Sequence, residues 1–271
     1  MYTVSGGPAI LERMHRQRGA LSQIQGRFES EARAPFDDGW TRADETPAPI
    51  RTTIAIERAR TNIARNDSPD IPFDQSINPY RGCEHGCIYC YARPSHAYLE
   101  LSPGLDFETK LFAKTNAAEL LRAELAQPGY KVSPISLGAN TDCYQPAERK
   151  HGITRQILEI LAACEHPLTI VTKSALVERD LDLLGLMAQK NLVKVYVSIG
   201  TLDRVLARKL EPRAASPQRR LDTLRALSQA GVPCGVMVAA LIPALNDQTL
   251  EHVLEGAAKA GAQEAAYVIL R

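Results

Sequence analysis

Nowhere in these 271 residues do eighteen apolar residues run together, so the sequence offers nothing long enough to cross a bilayer as a helix. The opening stretch, MYTVSGGPAILERMHRQRGA, lacks the charged start, apolar run and cleavage site of a secretory signal. The expectation is a cytoplasmic protein with no membrane partner. Charge of one sign is missing too. With 32 basic against 31 acidic residues the formal net charge is +1, and no global field recruits nucleic acid or anionic lipid. Any basic groove has to be local. Cysteine is scarce: the six fall as a trio at 83, 87 and 90 with singles at 143, 164 and 234, which is not the layout of a small disulfide scaffold.

What is present is a 45% hydrophobic chain that fits one sizeable domain plus an extension. Residues 1–70 are rich in Arg, Pro, Asp and Glu, with turn-prone segments such as APFDDG and ETPAPIR, and read as a partly irregular N-terminal extension with a short helical stretch near Ile10 to Gln25. From Ile71 onward, short β-branched runs alternate with helix-period segments, the order expected of βα units around a parallel sheet. Six strands are predicted, at Gln75–Tyr80, Ser133–Leu137, Leu168–Thr172, Val193–Ile199, Cys234–Ala240 and Ala265–Leu270, each apolar enough to be covered on both faces. Helices are expected at Asn116–Ala126, Thr154–Cys164, Asp180–Lys190, Pro217–Ala230 and Asp247–Lys259. An open doubly wound sheet and a barrel both accommodate this order, and periodicity alone does not choose between them. Because the sequence stops at Arg271, directly after the sixth strand, the expectation is a native chain that extends further.

The trio needs a chemical explanation. The segment PYRGCEHGCIYCY (79–91) sets three thiols at spacings of four and three residues in a loop directly after the first strand. Thiolates suit soft metal centres, and a cubane has four irons, so three cysteines leave one iron open. Gly82 and Gly86 let the loop turn tightly enough to aim the sulfurs together. The competing reading is a zinc site, or a non-catalytic metal module, in which His85 or His96 completes a tetrahedral set. A single C-x2-C pair followed by βα units speaks for the cluster, with neither histidine a ligand. Cys164 and Cys234, both in apolar stretches, read as buried and inert.

The spacing Cys83, Cys87, Cys90, with Tyr89 before the last cysteine, resembles the signature of the radical S-adenosylmethionine (SAM) superfamily. The stretch GANTDCYQPAE (138–148) is similar to the subgroup that includes spore photoproduct lyase and DNA repair photolyase-like proteins. This resemblance implies an α/β fold, a partial (β/α)6 TIM-type barrel of parallel strands over 71–271. It implies a [4Fe-4S] cluster on Cys83, Cys87 and Cys90, with SAM on the open iron. One electron then splits SAM to a 5′-deoxyadenosyl radical that takes hydrogen from a substrate. It also implies an electron donor such as flavodoxin or ferredoxin, an enzyme of the lyase or oxidoreductase class, and nucleic acid as one possible substrate.

By the same resemblance Tyr89, Thr141, Asp142, Lys173 and Ser198 are the SAM contacts. Thr141 or Asp142 would meet the ammonium of the methionine part. Lys173, in VTKS at the third strand's end, would meet the carboxylate, and Ser198, in VSIGT, the methionine end or the ribose. KLEPRAASPQRR carries Glu211, Arg213, Arg219 and Arg220, read as ion pairs at a solvated helix start. LIPALND (241–247) is expected to shape the adenine pocket, with Asp247 capping the next helix. Spore photoproduct lyase uses a cysteine in the loop after the second strand. Asn140 stands beside Thr141 here, a departure that weighs against photoproduct repair and leaves Cys143 as structural.

Overall fold

The computed structural model describes residues 18–28 and 50–270. Among the described residues there are ten strands: β1 (Thr53–Glu57), β2 (Ile63–Arg65), β3 (Gln75–Ile77), β4 (Tyr80–Arg81), β5 (Lys110–Lys114), β6 (Ile135–Leu137), β7 (Leu168–Thr172), β8 (Val193–Ser198), β9 (Cys234–Leu241) and β10 (Glu264–Ile269). The helices are α1 (Asp106–Thr109), α2 (Ala117–Leu125), α3 (Glu148–His151), α4 (Ile153–Ala163), α5 (Leu181–Ala188), α6 (Arg204–Leu210), α7 (Pro217–Gln229) and α8 (Leu250–Lys259).

The large sheet runs β10-β9-β8-β7-β6-β3-β2. From β3 to β10 every pairing is parallel, and only β2 runs antiparallel, beside β3. Strand order follows chain order without a reversal, whereas a doubly wound sheet reverses at its switch point. The alternative left open by periodicity is thereby decided: the sheet is wound in one sense, as in a partial barrel, and it does not close.

The amphipathic helices cover the outside. In α4, Ile153, Ile157, Leu158 and Leu161 line one face at helical spacing and are buried. α7 starts at Ser216, whose hydroxyl accepts from the Arg219 backbone N at 3.3 Å, with Pro217 in the first turn where no donor is needed. Inside, Ile77, Leu137, Ile170, Val197 and Val236 from consecutive parallel strands sit in one core.

Four features depart from the sequence reading. The strand expected over Gln75–Tyr80 is two, because Pro79 has no N–H to continue the ladder. β3 stays in the large sheet, while β4 crosses to a smaller one of order β1-β5-β4, where Lys114 N donates to Pro79 O at 3.0 Å. Residues 53–65, read as extension, supply β1 and β2, so the sheet begins before residue 71. Of the stretch 10–25 expected as helix, residues 18–25 are not helical, and 10–17 lie outside the described residues. β10 is exposed on both faces, with Tyr267, Val268 and Ile269 open to solvent. No described helix is long and apolar enough to cross a membrane.

Candidate active site: a cysteine loop against the strand ends

The loop after β4 carries the three cysteines, and its glycines are required by geometry. Gly82 has φ +74°, and a Cβ there would lie 2.6 Å from the Leu111 side chain and 2.7 Å from Phe107 O. Gly86 has φ +65°, and its Cβ would fall 2.7 Å from Glu108 Oε2. Cys83 and Cys87 are buried and Cys90 is partly exposed, and all three are free thiols. Burial pushes the Cys83 thiol up, with Asp142 and the Cys87 thiol adding to the shift. Burial likewise pushes Cys87 up to about 12, opposed by Lys173 and reinforced by Glu211 and Cys90. All three thiols sit on one short loop, and bound iron would supply the positive charge that buried thiolates need. The residues present therefore fit an iron–sulfur cluster. Among the described residues, no three His, Cys, Asp or Glu side chains gather around one point as a single metal ion would require.

The histidines proposed for a zinc set are engaged elsewhere. His96 Nε2 pairs with Lys110 O at 2.9 Å, and His85 Nδ1 stands 3.2 Å from Asp142 Oδ2. Asp142 is buried and its oxygens serve the fold. Oδ1 accepts from Tyr144 N (2.9 Å) and the Thr172 hydroxyl (2.7 Å), and Oδ2 accepts from Lys173 N (2.7 Å). Burial alone would raise this carboxyl. The His85 ring, the Lys173 N–H and the Thr172 hydroxyl outweigh it and bring the pKa down to about 2. Beside it, Thr141 is buried and donates its hydroxyl to Tyr80 O at 2.8 Å, leaving its lone pairs as acceptors.

Lys173 closes β7 differently. Its Nζ lies 5.9 Å from the centre of the Tyr89 ring and makes no ion pair among the described residues. Burial would lower it, but Cys87 and Glu211 more than compensate, so the amine stays charged. The Tyr89 hydroxyl donates to Glu211, and Ala239 O is 3.3 Å away. Arg220 is buried and fully used: it donates to Glu211, to Ser198 O (2.8 Å) and to Ala215 O (2.8 Å). The Ser198 hydroxyl donates to Ala239 O at 3.4 Å. Burial would raise the Glu211 carboxyl, but Arg220 and Lys173 hold it below its ordinary value. The strand ends thus meet the cysteine loop through Asp142, Lys173 and the Ala239 carbonyl, the last also bonded by Ser198 at the end of β8.

Some expectations need correcting. Glu211 and Arg220 are an ion pair as read, but a buried one beneath Tyr89 and not part of a solvated helix start. Arg213 pairs with Glu84 at 3.0 Å and Arg219 with Glu178 at 2.6 Å. Cys143 and Cys234 are buried, but Cys164 is exposed because it caps the end of α4. Asp247 does not cap α8. It begins a single 3-10 turn, while Asn246 holds the bend by donating to Gly200 O and Ala240 O. The sequence reading passed over Gln145, whose amide accepts from Glu84 N and donates to Gly82 O, both at 3.0 Å. It also passed over Arg93 and Glu108, isolated polar residues that no local motif marks.

Residues 77–257 match the radical SAM superfamily. The chain belongs to that superfamily. A protein of Mycobacterium tuberculosis is 44% identical over 220 residues, covering 79% of this chain and 65% of its own length. A Methanocaldococcus jannaschii protein is 29% identical over 178 residues, 66% of this chain and 63% of its own. Among solved structures, a spore photoproduct lyase variant with bound AdoMet and dinucleoside spore photoproduct superposes with a TM-score of 0.60 at 18% identity, over 80% of this chain and 62% of that one. Streptococcus suis SuiB bound to precursor peptide SuiA gives 0.52 at 14% identity, over 72% and 39%. At these identities the structures speak for the fold. The radical SAM superfamily uses a [4Fe-4S] cluster and SAM, and this chain spans about 65% of the length of the mycobacterial relative.

Proposed function

We propose that this protein is a radical SAM enzyme that takes hydrogen from its substrate, with Cys83, Cys87 and Cys90 as the ligands of one [4Fe-4S] cluster. The observation that carries this reading is the set of three free thiols on one loop, with the Lys173 ammonium, 5.9 Å from the Tyr89 ring of that loop, making no ion pair among the described residues. When bound, the cluster supplies the electron that splits SAM into methionine and a 5′-deoxyadenosyl radical. The protein's own residues bind, orient and shield.

Lys173 is suited to the SAM carboxylate as a point-charge donor. Thr141, with free lone pairs, is suited to the ammonium, and the Ser198 hydroxyl to the methionine end or the ribose. Tyr89 offers its ring as a wall fixed by Glu211. Asp142 was expected to contact the ammonium. Its oxygens already hold Tyr144, Thr172 and Lys173 in place, and its part in the proposal is to orient the Lys173 turn. The zinc-module alternative loses ground because His96 Nε2 pairs with the Lys110 carbonyl and His85 Nδ1 with the Asp142 carboxylate.

For the substrate, nucleic acid is the class carried forward, with reduction by flavodoxin or ferredoxin in the cytoplasm. Arg51, Arg60 and Arg65 are exposed and make no ion pair among the described residues, and the neighbouring Glu57 is taken by Arg81 at 2.7 Å. Exposed, unpaired arginines bind phosphates in a salt-dependent manner. The test is anaerobic reconstitution with iron and sulfide, then dithionite and SAM, with chromatography for 5′-deoxyadenosine. The reading predicts its formation in the wild type and its loss in Cys83→Ala, Cys87→Ala and Cys90→Ala. Cleavage that survives these changes overturns the assignment.

A further inference from the structure

The N-terminal segment that the sequence left without a role lies against the cysteine loop, and one buried carboxylate joins the two. Glu108, at the foot of the loop, is fully buried. Its Oε2 accepts from Gly19 N at 2.9 Å and its Oε1 from Ala20 N at 2.8 Å. Arg18 adds a hydrogen bond to Glu108 O at 3.0 Å and two more to Ile50 O (2.8 Å) and the Thr52 hydroxyl (3.0 Å). On the other side Oε1 pairs with Arg93, whose guanidinium also donates twice to Cys87 O, at 2.9 and 3.1 Å. The chain of contacts runs from the Gly19 N–H through Glu108 and Arg93 to the carbonyl of a predicted cluster ligand.

Packing tells the same story. A Cβ on Gly19 would lie 1.8 Å from Gly86 O, between Cys83 and Cys87, so the segment and the loop touch backbone to backbone. Further along, the Ser102 hydroxyl donates to Ile24 O, and the Phe28 ring stacks 5.2 Å from Tyr98. Residues 18–20 therefore lie against the cysteine loop, and 24–28 continue over the segment that follows it, at Tyr98 and Ser102. A buried carboxylate that accepts from two backbone amides and one arginine is satisfied, and removing any one partner leaves charge unpaired in the interior.

We propose that residues 18–28 act as a strap that holds the cysteine loop in its ligating shape before metal arrives, with Glu108 as the positioning residue that ties strap and Arg93 to Cys87. The proposal rests on the reading of the three cysteines as cluster ligands. It assigns to the N-terminal segment a part in preorganising that site and in keeping solvent and oxygen from its outer side, which lowers the ordering cost of metal binding.

The test is hydrogen–deuterium exchange on the full-length, metal-free protein, comparing wild type with Gly19→Ala, which must lift the strap off Gly86, and with Glu108→Gln, which keeps the shape and removes the charge. The expected result is at least tenfold faster exchange in 83–90 for both variants, with β7, β8 and β9 protected as in wild type. After reconstitution, both should bleach faster in air than wild type. Unchanged exchange in 83–90 in either variant, whether or not residues 18–28 exchange faster, overturns the proposal. So does loss of protection throughout the sheet, which would make the contact a general stabiliser. The metal-free readout is independent of cluster chemistry, so a failed radical SAM reading shows in iron analysis while a failed strap shows in exchange.

Discussion

His85 Nδ1 and Asp142 Oδ2 lie 3.2 Å apart, both side chains buried, so the carboxylate after β6 grips the cysteine loop from the barrel side. Through its other contacts the same carboxylate fixes the backbone of Lys173. Two parts of the proposed site, the metal loop and the cation, are registered against each other by one side chain.

That pairing carries a pH signature. The Asp142 carboxyl ordinarily titrates at 3.8 and is held at about 2 in the folded protein. A depressed carboxylate contributes stability that is complete above its unfolded pKa and lost as pH falls through the folded one. Metal-free wild type should lose about 2 kcal/mol of unfolding free energy between roughly pH 4 and pH 2 on this account alone. Asp142→Asn should lose a similar amount at neutral pH and show a flatter profile over that window. Urea unfolding at several pH values measures both, and parallel profiles for the two proteins would contradict the role given to Asp142.

Lys173 should separate binding from assembly. Lys173→Met removes a cation that makes no ion pair among the described residues, so the cluster should load normally while SAM affinity weakens about tenfold or more, the loss of one charge-assisted contact. Equilibrium dialysis with SAM reads the affinity and iron content reads the assembly. Equal affinity in the two proteins would remove Lys173 from the binding site.

Glu211 and Arg220 make a buried pair, and such pairs are costly to break from one side. Arg220→Met should lower stability by about 3–5 kcal/mol, because Glu211 is left charged in the interior. The double change Glu211→Met with Arg220→Met should recover much of that loss. Thermal melts of the three proteins check the order, and a double variant less stable than Arg220→Met would show the pair to be worth more than its desolvation.

Two glycines with similar backbone angles should respond differently to alanine. Gly129, at φ +82° with nothing within 4 Å of its added Cβ, should cost about 1 kcal/mol of backbone strain. Gly82→Ala adds a collision with Phe107 O and Leu111 to the same strain, and should also reduce iron uptake, since Cys83 follows it directly. Iron content after reconstitution separates the two variants; equal loading would mean that the loop tolerates the collision.

The sequence was most legible where chemistry or periodicity is local. The spacing of Cys83, Cys87 and Cys90 needs only the chain's own order, and β6 to β9 showed as short apolar runs with nearly correct ends. What stayed hidden depends on contacts far apart in the chain. Glu108 reaches residues 18–20 across almost ninety positions, and no pattern within a window marks such a pair. β1 is a half-exposed strand of a small side sheet with weak alternation, and β5 buries Leu111 and Ala113 but carries apolar Phe112 on its other face, which blurs the pattern in the sequence. The split between β3 and β4 was in principle readable from Pro79, whose missing N–H ends a ladder. Asp142 was singled out through the family resemblance, but the partners of its oxygens, from β7 and the cysteine loop, were not legible in the sequence.

The most direct test of the account is electron paramagnetic resonance of the dithionite-reduced, reconstituted protein with and without SAM. Three cysteine ligands leave one iron open, and the account predicts a [4Fe-4S] signal that changes shape when SAM is added and disappears in Cys87→Ala. A signal indifferent to SAM, or a protein that takes up zinc in place of iron, would contradict it.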